Sequence, residues 1–308
     1  WERTFGGEGW DRGYSLAITA DGGYLLAGDT DSSGAGLCDV YLVKVDADGN
    51  RLWSETYGGS GYDWAYSVQE TTDGSFLLAG QTESLGSPSG IYLLKTDAQG
   101  TLLWQKKVDL GGTSLANGVE AAPDGGYVLC GWVVRQGKKD MDACLVKVDR
   151  DGNVLWQRFF GGGGDDWWSS VKAVPGAGYV LAGGTTSRGS GKYDAYLVMT
   201  DEQGELLWER TFGGEGDDYA HGVCVLEGGG FALAGSVWSA ASGDDAYLAI
   251  TDEEGNALLE RTYGGGGGDW AYSVIPVPDG GLVLVGGCAL TPDRGEDVFL
   301  VKVSAGEV

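Results

Sequence analysis

The sequence predicts an all-β protein, a six-bladed β-propeller with four antiparallel strands in each blade. Three observations predict this fold class. Similar segments recur along the chain at a fixed spacing. Short alternating stretches bounded by glycine and aspartate recur inside each segment, and no stretch of ten residues shows a helical period.

The repeat is clearest at one tryptophan column. Its members lie 51 or 52 residues apart, and they are Trp1, Trp53, Trp104, Trp156 and Trp208, with Leu259 in the sixth place. A period of about fifty residues is typical of propellers and solenoids. Repeats that begin near residues 1, 53, 104, 156, 208 and 259 fill the chain, so the sequence predicts a single domain over residues 1–308.

Each repeat contains four short apolar stretches. In the second repeat they read AYSVQET, FLLAGQT, IYLLKTD and TLLWQKK. The turn sequence TDGS lies between the first two stretches, and AQG lies between the last two. Runs rich in β-branched and aromatic residues between such turns indicate strands and hairpins. Four antiparallel strands per repeat match one propeller blade.

The two ends of the chain differ in phase. The chain opens with WERTF, which has the pattern of a fourth strand, and its last apolar stretch, DVFLVKV, has the pattern of a third. We therefore expect the N-terminal strand, residues 1–5, to complete the last blade and close the propeller, because this pairing removes two exposed sheet edges.

Composition excludes several function classes. The formal net charge is −25 and the pI is about 4.1, so phosphate backbones and anionic lipid surfaces are repelled. No apolar run of about eighteen residues is present, so we expect no membrane insertion. The 58 glycines suggest disorder, but 12 Trp, 15 Tyr and 7 Phe supply the apolar area that disordered chains lack.

The five cysteines show no CxxC spacing and are odd in number, which indicates neither a zinc site nor a dense disulfide framework. Cys130 and Cys144 fall on neighbouring predicted strands, so one bridge between them is open. Buried thiols are the favoured interpretation.

Three hairpin segments carry a family resemblance. VDADGNRLW (45–53), VDRDGNVLW (148–156) and TDEQGELLW (200–208) resemble the tryptophan-docking repeats of pyrroloquinoline-quinone-type propellers. The glycine-rich segments that follow resemble propeller repeats of secreted bacterial and archaeal proteins. The resemblance implies the fold over all six repeats and says little about activity, because propellers host many functions.

Aspartates mark the face that we expect to carry the long loops, here called the working face. One column precedes the first strand of each blade and contains Asp11, Asp63, Asp166, Asp218 and Asp269, with Ser114 in the third repeat. A second precedes the third strand and contains Asp39, Asp142, Asp194, Asp245 and Asp297. A ring of carboxylates that binds calcium or a cationic group is one interpretation. The favoured one is that each aspartate accepts hydrogen bonds from its own loop and fixes a turn.

Aromatic residues follow the first aspartate column: Trp64, Trp167, Tyr219 and Trp270. Flat rings beside carboxylates suit a sugar, so these residues and the first aspartate column are the candidate ligand-binding set. Packing between blades is the simpler explanation of the aromatic column. His221, the one histidine, occupies the position that Tyr14, Tyr66 and Tyr272 hold in other repeats, and we include it in the candidate set.

The third repeat departs from the pattern. It has Ser114 and Leu115 where others have aspartate and an aromatic residue, and a basic loop, RQGKKD. Lost constraint and a specific contact explain this equally well. A further column, Lys44, Lys95, Lys147 and Lys302, is predicted to contain solvated or snorkelling lysines beside a hairpin.

Function follows by elimination. The single histidine is not enough to argue a Ser-His-Asp triad from sequence. The Arg or Lys cluster that a quinone cofactor needs is missing from the corresponding loops, where Arg12 is the one basic residue. We expect a non-catalytic extracellular or cell-surface module without a cofactor, and calcium binding is left open. It would bind a protein or a glycan on the working face, or pack into a larger surface assembly. The alternative is a quinone-dependent sugar dehydrogenase or glycan-active enzyme.

Overall fold

The computed structural model describes residues 1–265, 267–289 and 297–307. These residues form an all-β structure of the β-propeller class, with six blades of antiparallel strands. Five blades have four strands and the last has three. A single turn of 3-10 helix, Ala305–Glu307, is the one helical element described. No helix in the described ranges is long and apolar enough to cross a bilayer.

The strands of each blade follow one another in the sheet in chain order. The first blade contains β1 (Asp11–Ile18), β2 (Tyr24–Thr30), β3 (Asp39–Val45) and β4 (Arg51–Tyr57); the second β5 (Asp63–Glu70), β6 (Phe76–Thr82), β7 (Gly90–Thr96) and β8 (Leu102–Val108); the third β9 (Gly112–Ala121), β10 (Tyr127–Arg135), β11 (Asp142–Val148) and β12 (Val154–Phe160). The fourth contains β13 (Asp166–Val174), β14 (Gly178–Thr185), β15 (Asp194–Thr200) and β16 (Leu206–Phe212); the fifth β17 (Tyr219–Val225), β18 (Phe231–Ser239), β19 (Gly243–Thr251) and β20 (Ala257–Tyr263); the last β21 (Asp269–Pro276), β22 (Leu282–Cys288) and β23 (Asp297–Val303).

The chain divides into two compact units, Trp1–Gln157 and Arg158–Val308, here called the first and the second unit. The division falls inside β12. A single domain over residues 1–308 stays a prediction.

Every first strand contains a β-bulge. In β13 the register shifts between Trp168 and Ser170, so Ser169 is the extra residue. The glycine opposite the bulge is required, because a Cβ on Gly183 would lie 1.9 Å from the carbonyl oxygen of Trp167. The extra residue in the other blades is Tyr14, Tyr66, Asn117, His221 or Tyr272. The predicted equivalence of His221 with the three tyrosines is therefore confirmed.

Apolar side chains pack between successive blades inside each unit. In the first unit Leu25 and Leu42 of one blade meet Phe76 and Leu94 of the next. The tryptophan column joins this packing, because the Trp53 ring lies 6.1 Å from that of Phe76. An outer-strand tryptophan therefore docks on the following blade, as Trp208 does on Phe231 at 5.8 Å.

The ends depart from the predicted closure. The last sheet has three strands, and no strand is assigned among residues 1–10. Trp1 nevertheless docks as its counterparts do, 6.0 Å from the ring of Tyr24 and beside Gly49. The N-terminal segment thus keeps the side-chain contact of an outer strand, while in the described part of the chain residues 1–10 are assigned to no strand.

Three members of the lysine column, Lys44, Lys95 and Lys147, bury their stems and pair their ammonium groups with exposed aspartates, as the snorkelling interpretation expects, whereas Lys302 is exposed. Lys95 is 6% exposed, and its ammonium lies 2.8 Å from the carboxylate of Asp73 in the first hairpin of its blade. The same ion pair recurs as Lys44 with Asp21, Lys147 with Asp124 and Lys302 with Asp279. The pair lets the aliphatic stem pack inside while the aspartate stays in water.

All five cysteines are free thiols and buried, which confirms the favoured interpretation. Cys130 lies opposite Leu145, and Cys144 lies opposite Gly131, one position away. Burial raises the pKa of the Cys144 thiol, so this group stays protonated and packs as a small apolar side chain.

Candidate functional site

The first aspartate column fixes the loops that lead into the blades. Asp166 is fully buried, and its Oδ2 accepts hydrogen bonds from the Gly162 N–H at 3.0 Å and the Ser187 hydroxyl at 2.6 Å. The Thr185 hydroxyl donates to its Oδ1. A carboxylate with three such donors holds both loops in place.

The other four members make the same kind of contact, and each accepts from the N–H of the glycine four residues earlier. Asp11 adds Thr30 and Ser32, Asp63 adds Ser84, and Asp218 adds the N–H of Trp238. In the third blade Ser114 replaces the aspartate and accepts from the Ile91 N–H at 3.3 Å. These bonds favour the turn-fixing interpretation.

The second column does the same for the loops before the third strands. Asp39 accepts from the N–H groups of Ala35 and Gly36. In the third blade Asp142 instead pairs with the basic loop, because Arg135 lies 2.7 Å and Lys138 3.2 Å from its Oδ2. The divergent loop therefore uses its cations internally, to neutralise a nearly buried carboxylate.

Calcium does not fit these columns. The aspartates already accept hydrogen bonds from their own loops, and among the described residues no group of three or more His, Cys, Asp or Glu side chains is placed to hold a metal ion. A calcium site needs six to eight oxygen ligands, so no step in the account uses a metal.

Aromatic rings of the second unit form a continuous row, here called the aromatic row. It consists of Trp167, Tyr193, Tyr219, His221 and Tyr272. Centroid distances are 5.6 Å from Trp167 to Tyr193, 5.5 Å from Tyr193 to Tyr219, and 5.9 Å from Trp167 to Tyr219. His221 continues the row, 6.1 Å from Tyr219 and 5.3 Å from Tyr272. Three of the predicted residues are therefore brought together.

The remaining predicted aromatics lie elsewhere. Trp64 belongs to the first unit and stacks on Tyr62 with parallel rings 5.4 Å apart. Trp270 lies over Gly268, where a Cβ would meet its ring at 2.5 Å. The aromatic column is thus divided between local packing and the row.

Local backbone geometry places the row. Trp167 and Tyr219 are the second and first residues of β13 and β17, directly after an aspartate that fixes the preceding loop. His221 and Tyr272 are the bulge residues of β17 and β21. All five rings keep some solvent exposure, and Tyr272 is the most exposed at 52%.

The charge near the row is acidic. Asp217 precedes the buried Asp218, and its carboxylate lies 3.9 Å from the Lys192 ammonium. Asp244 lies near the start of β19, opposite Trp238. Burial raises the pKa of Asp244, and Asp217 and Asp218 raise it further. Burial also lowers the pKa of His221 to about 4, so its imidazole is neutral at neutral pH.

Sequence reasoning missed Tyr193 and the two flanking aspartates. Tyr193 holds the position before the second aspartate column, where the other blades have Cys38, Ser89, Met141 and Asp244. The signal was the variability of this position beside a neighbour that is aspartate in every repeat except the second, which has Gly90. A variable residue on a fixed loop is a common place for specificity.

Comparison with known proteins shows similarity in fold alone. No protein-family model and no curated protein matches the sequence. A solved protein of unknown function from Bacteroides caccae is 14% identical, with 92% of this chain and 91% of that chain covered and a TM-score of 0.55. A glucose dehydrogenase is 14% identical over 96% of this chain and 97% of that chain, with a TM-score of 0.56. Sqt1 from Chaetomium thermophilum is 13% identical over 96% of this chain and 72% of that chain, with a TM-score of 0.52. At such low sequence identities a shared fold does not indicate a shared activity.

Proposed function

We propose that this chain is a non-catalytic glycan-binding propeller and that a neutral oligosaccharide lies along the aromatic row. The observation that carries the proposal is the row itself, five rings from three successive blades, each within about 6 Å of the next. Rings that pack only for stability are normally buried, whereas these keep part of their surface in solvent.

The polar groups beside the row suit sugar hydroxyls. The carboxylates of Asp217 and Asp244 accept hydrogen bonds, and the neutral imidazole of His221 has one donor and one acceptor. Apolar faces with a few convergent polar groups are the usual make-up of a small-molecule site. The acidic surroundings and the net charge of −25 disfavour sulfated or uronic-acid glycans.

The same groups argue against the enzyme alternative. An efficient general base has a pKa near the working pH, and that of His221 lies at about 4. A polyanionic quinone does not fit either, because the cation near the row, Lys192, lies beside Asp217 within an acidic cluster. We therefore derive no redox step.

A protein contact is the second candidate function. Trp10 and Leu37 are exposed in working-face loops of the first unit. The Trp10 N–H donates to Asp31, and the Leu37 N–H donates to the Gly61 carbonyl, so both large side chains are held in solvent by ordered backbone. An exposed tryptophan such as Trp10 is a typical anchor of a protein interface. With either partner, our proposal keeps an extracellular or cell-surface location, on composition and resemblance.

Binding to a panel of neutral oligosaccharides, followed by calorimetric titration of the best one, tests the proposal. Trp167→Ala and Tyr272→Ala should each weaken binding by about tenfold or more, because stacking on one aromatic ring contributes about 1 to 2 kcal/mol. Trp64→Ala is the matched control from the same column in the first unit and should bind as the wild type does. Equal losses in all three variants, or no binding to any neutral glycan, would refute the assignment.

A further inference from the structure

The first blade departs from the others in three columns at one place. Arg12 replaces the aromatic residue after the first aspartate. Asp29 replaces the residue that is Gln81, Trp132, Gly184, Ser236 or Gly287 elsewhere, and Cys38 replaces the residue equivalent to Tyr193. The strand register places Arg12 directly opposite Asp29, and the Cys38 thiol donates to Asp29 Oδ2 at 3.0 Å. Three residues that occur at these positions only in the first blade therefore meet at one carboxylate, although two of the columns vary from blade to blade.

Asp29 is 2% exposed, and its Oδ1 has no hydrogen-bond partner. A buried carboxylate oxygen without a partner is costly, because the charge loses its hydration without compensation. Asp63 Oδ1 is likewise buried without a partner, but Asp63 stands at the start of β5, where the preceding loop donates to its Oδ2. Asp29 sits within β2, where the backbone N–H groups belong to the sheet. The Asp29 carboxylate therefore has unused capacity to accept a donor.

Two tyrosines lie beside this carboxylate. Tyr14 and Tyr66, the bulge residues of the first two blades, have ring centroids 5.0 Å apart. Burial raises the pKa of the Tyr14 hydroxyl, the Asp29 carboxylate raises it further, and Arg12 lowers it. Tyr14 is 42% exposed, so the group has one side toward solvent.

Arg12, opposite Asp29 in the strand ladder, is near enough for Tyr14 and the Asp29 carboxylate to raise its pKa, but its guanidinium also contacts an aromatic ring. The guanidinium of Arg12 lies over the ring of Trp10, with its carbon 5.6 Å from the ring centroid. This cation–π contact occupies the nearest cation in the strand ladder and leaves Asp29 Oδ1 without a donor.

We propose that Asp29, Tyr14 and Tyr66 form a binding site for an organic cation, a guanidinium group of a ligand or peptide, and that Arg12 is its internal competitor. A guanidinium placed there donates to Asp29 Oδ1 and lies against tyrosine rings, which are the two contacts this cation prefers. The Cys38 thiol holds the carboxylate in its orientation. The site belongs to the first unit and is independent of the aromatic row.

Titration of the full chain with methylguanidinium, followed by NMR or calorimetry, tests the proposal, with N-methylurea as the neutral isostere. Asp29→Asn should weaken methylguanidinium binding about tenfold or more, because a charge-assisted hydrogen bond is lost. Arg12→Gln removes the competitor and should tighten it several-fold. Asp48→Asn removes the same charge from an exposed hairpin residue and should leave binding unchanged. Melting temperatures confirm that each variant is folded.

The two variants must move in opposite directions. Methylguanidinium binding that is equal in wild type and Asp29→Asn, or N-methylurea binding as strong as methylguanidinium binding, overturns the site. Weaker or unchanged binding by Arg12→Gln overturns the competitor role. Loss in Asp29→Asn together with a gain in Arg12→Gln supports both parts, and these readouts do not depend on glycan binding.

Discussion

Replacement of Asp166 by asparagine tests the loop-fixing role of the first aspartate column most sharply. The carboxylate accepts from the Gly162 N–H and from the hydroxyls of Ser187 and Thr185. Asparagine has the same size and keeps one acceptor oxygen. Its NH2 group replaces the other oxygen, so at least one of the donors around Asp166 loses its acceptor. Hydrogen bonds to a charged group contribute about 1.5 to 3 kcal/mol each. We therefore expect a loss of roughly 2 to 4 kcal/mol in the free energy of unfolding.

Urea unfolding with and without calcium measures this effect. Glu202→Gln is the control, because it removes one negative charge from an exposed hairpin of the same blade. The control should change stability by less than about 0.5 kcal/mol. A fully stable Asp166→Asn protein contradicts the loop-fixing role. A wild type that calcium stabilises, and a variant that it does not, would instead make the column a metal site.

Three further predictions follow from the same contacts. Gly183→Ala should destabilise by more than about 2 kcal/mol in urea unfolding, because its Cβ would overlap the Trp167 carbonyl, whereas Gly163→Ala, with open space around it, should be nearly neutral. Asp73→Asn should lower the free energy of unfolding by on the order of 3 kcal/mol, because it leaves the buried Lys95 ammonium without its carboxylate. Lys95→Met should lower it much less, because the Asp73 side chain is 60% exposed and regains water. Equal losses in the two variants would contradict this difference. The Lys95 hydrogen bond holds the pKa of Asp73 below its usual range. The stabilisation by this ion pair is therefore present above about pH 4 and is lost as the pH falls further. Melting temperatures measured across this acidic range check the prediction.

The fold was predictable because it depends on local, repeated signals. The spacing of the tryptophan column gives the blade length, and turns such as AQG fix the hairpins, where Gly100 adopts φ 83° and Asp97 accepts from two backbone N–H groups. The lysine column was predictable in part. Solvated or snorkelling lysines were expected, but the paired aspartate, 22 residues away in the case of Lys95, became known only from the structure.

The site was predictable only in part. Trp167, Tyr219 and His221 could be identified as members of columns, but their association requires the bulge that turns His221 toward Tyr219 and Tyr272. A bulge is defined by strand register, and one sequence shows it only through the glycine opposite. Tyr193 was missed because it belongs to a variable column. Such departures from a repeat become meaningful once their neighbours in space are known.

Hydroxyl-radical footprinting with a bound neutral oligosaccharide would locate the glycan on the protein, because it reports which side chains the ligand covers. We expect protection of Trp167, Tyr219 and Tyr272 in the second unit, with Trp64 in the first unit unchanged. Protection that appears at Trp64 instead, or an aromatic row that stays fully reactive while the glycan is bound, would contradict this expectation.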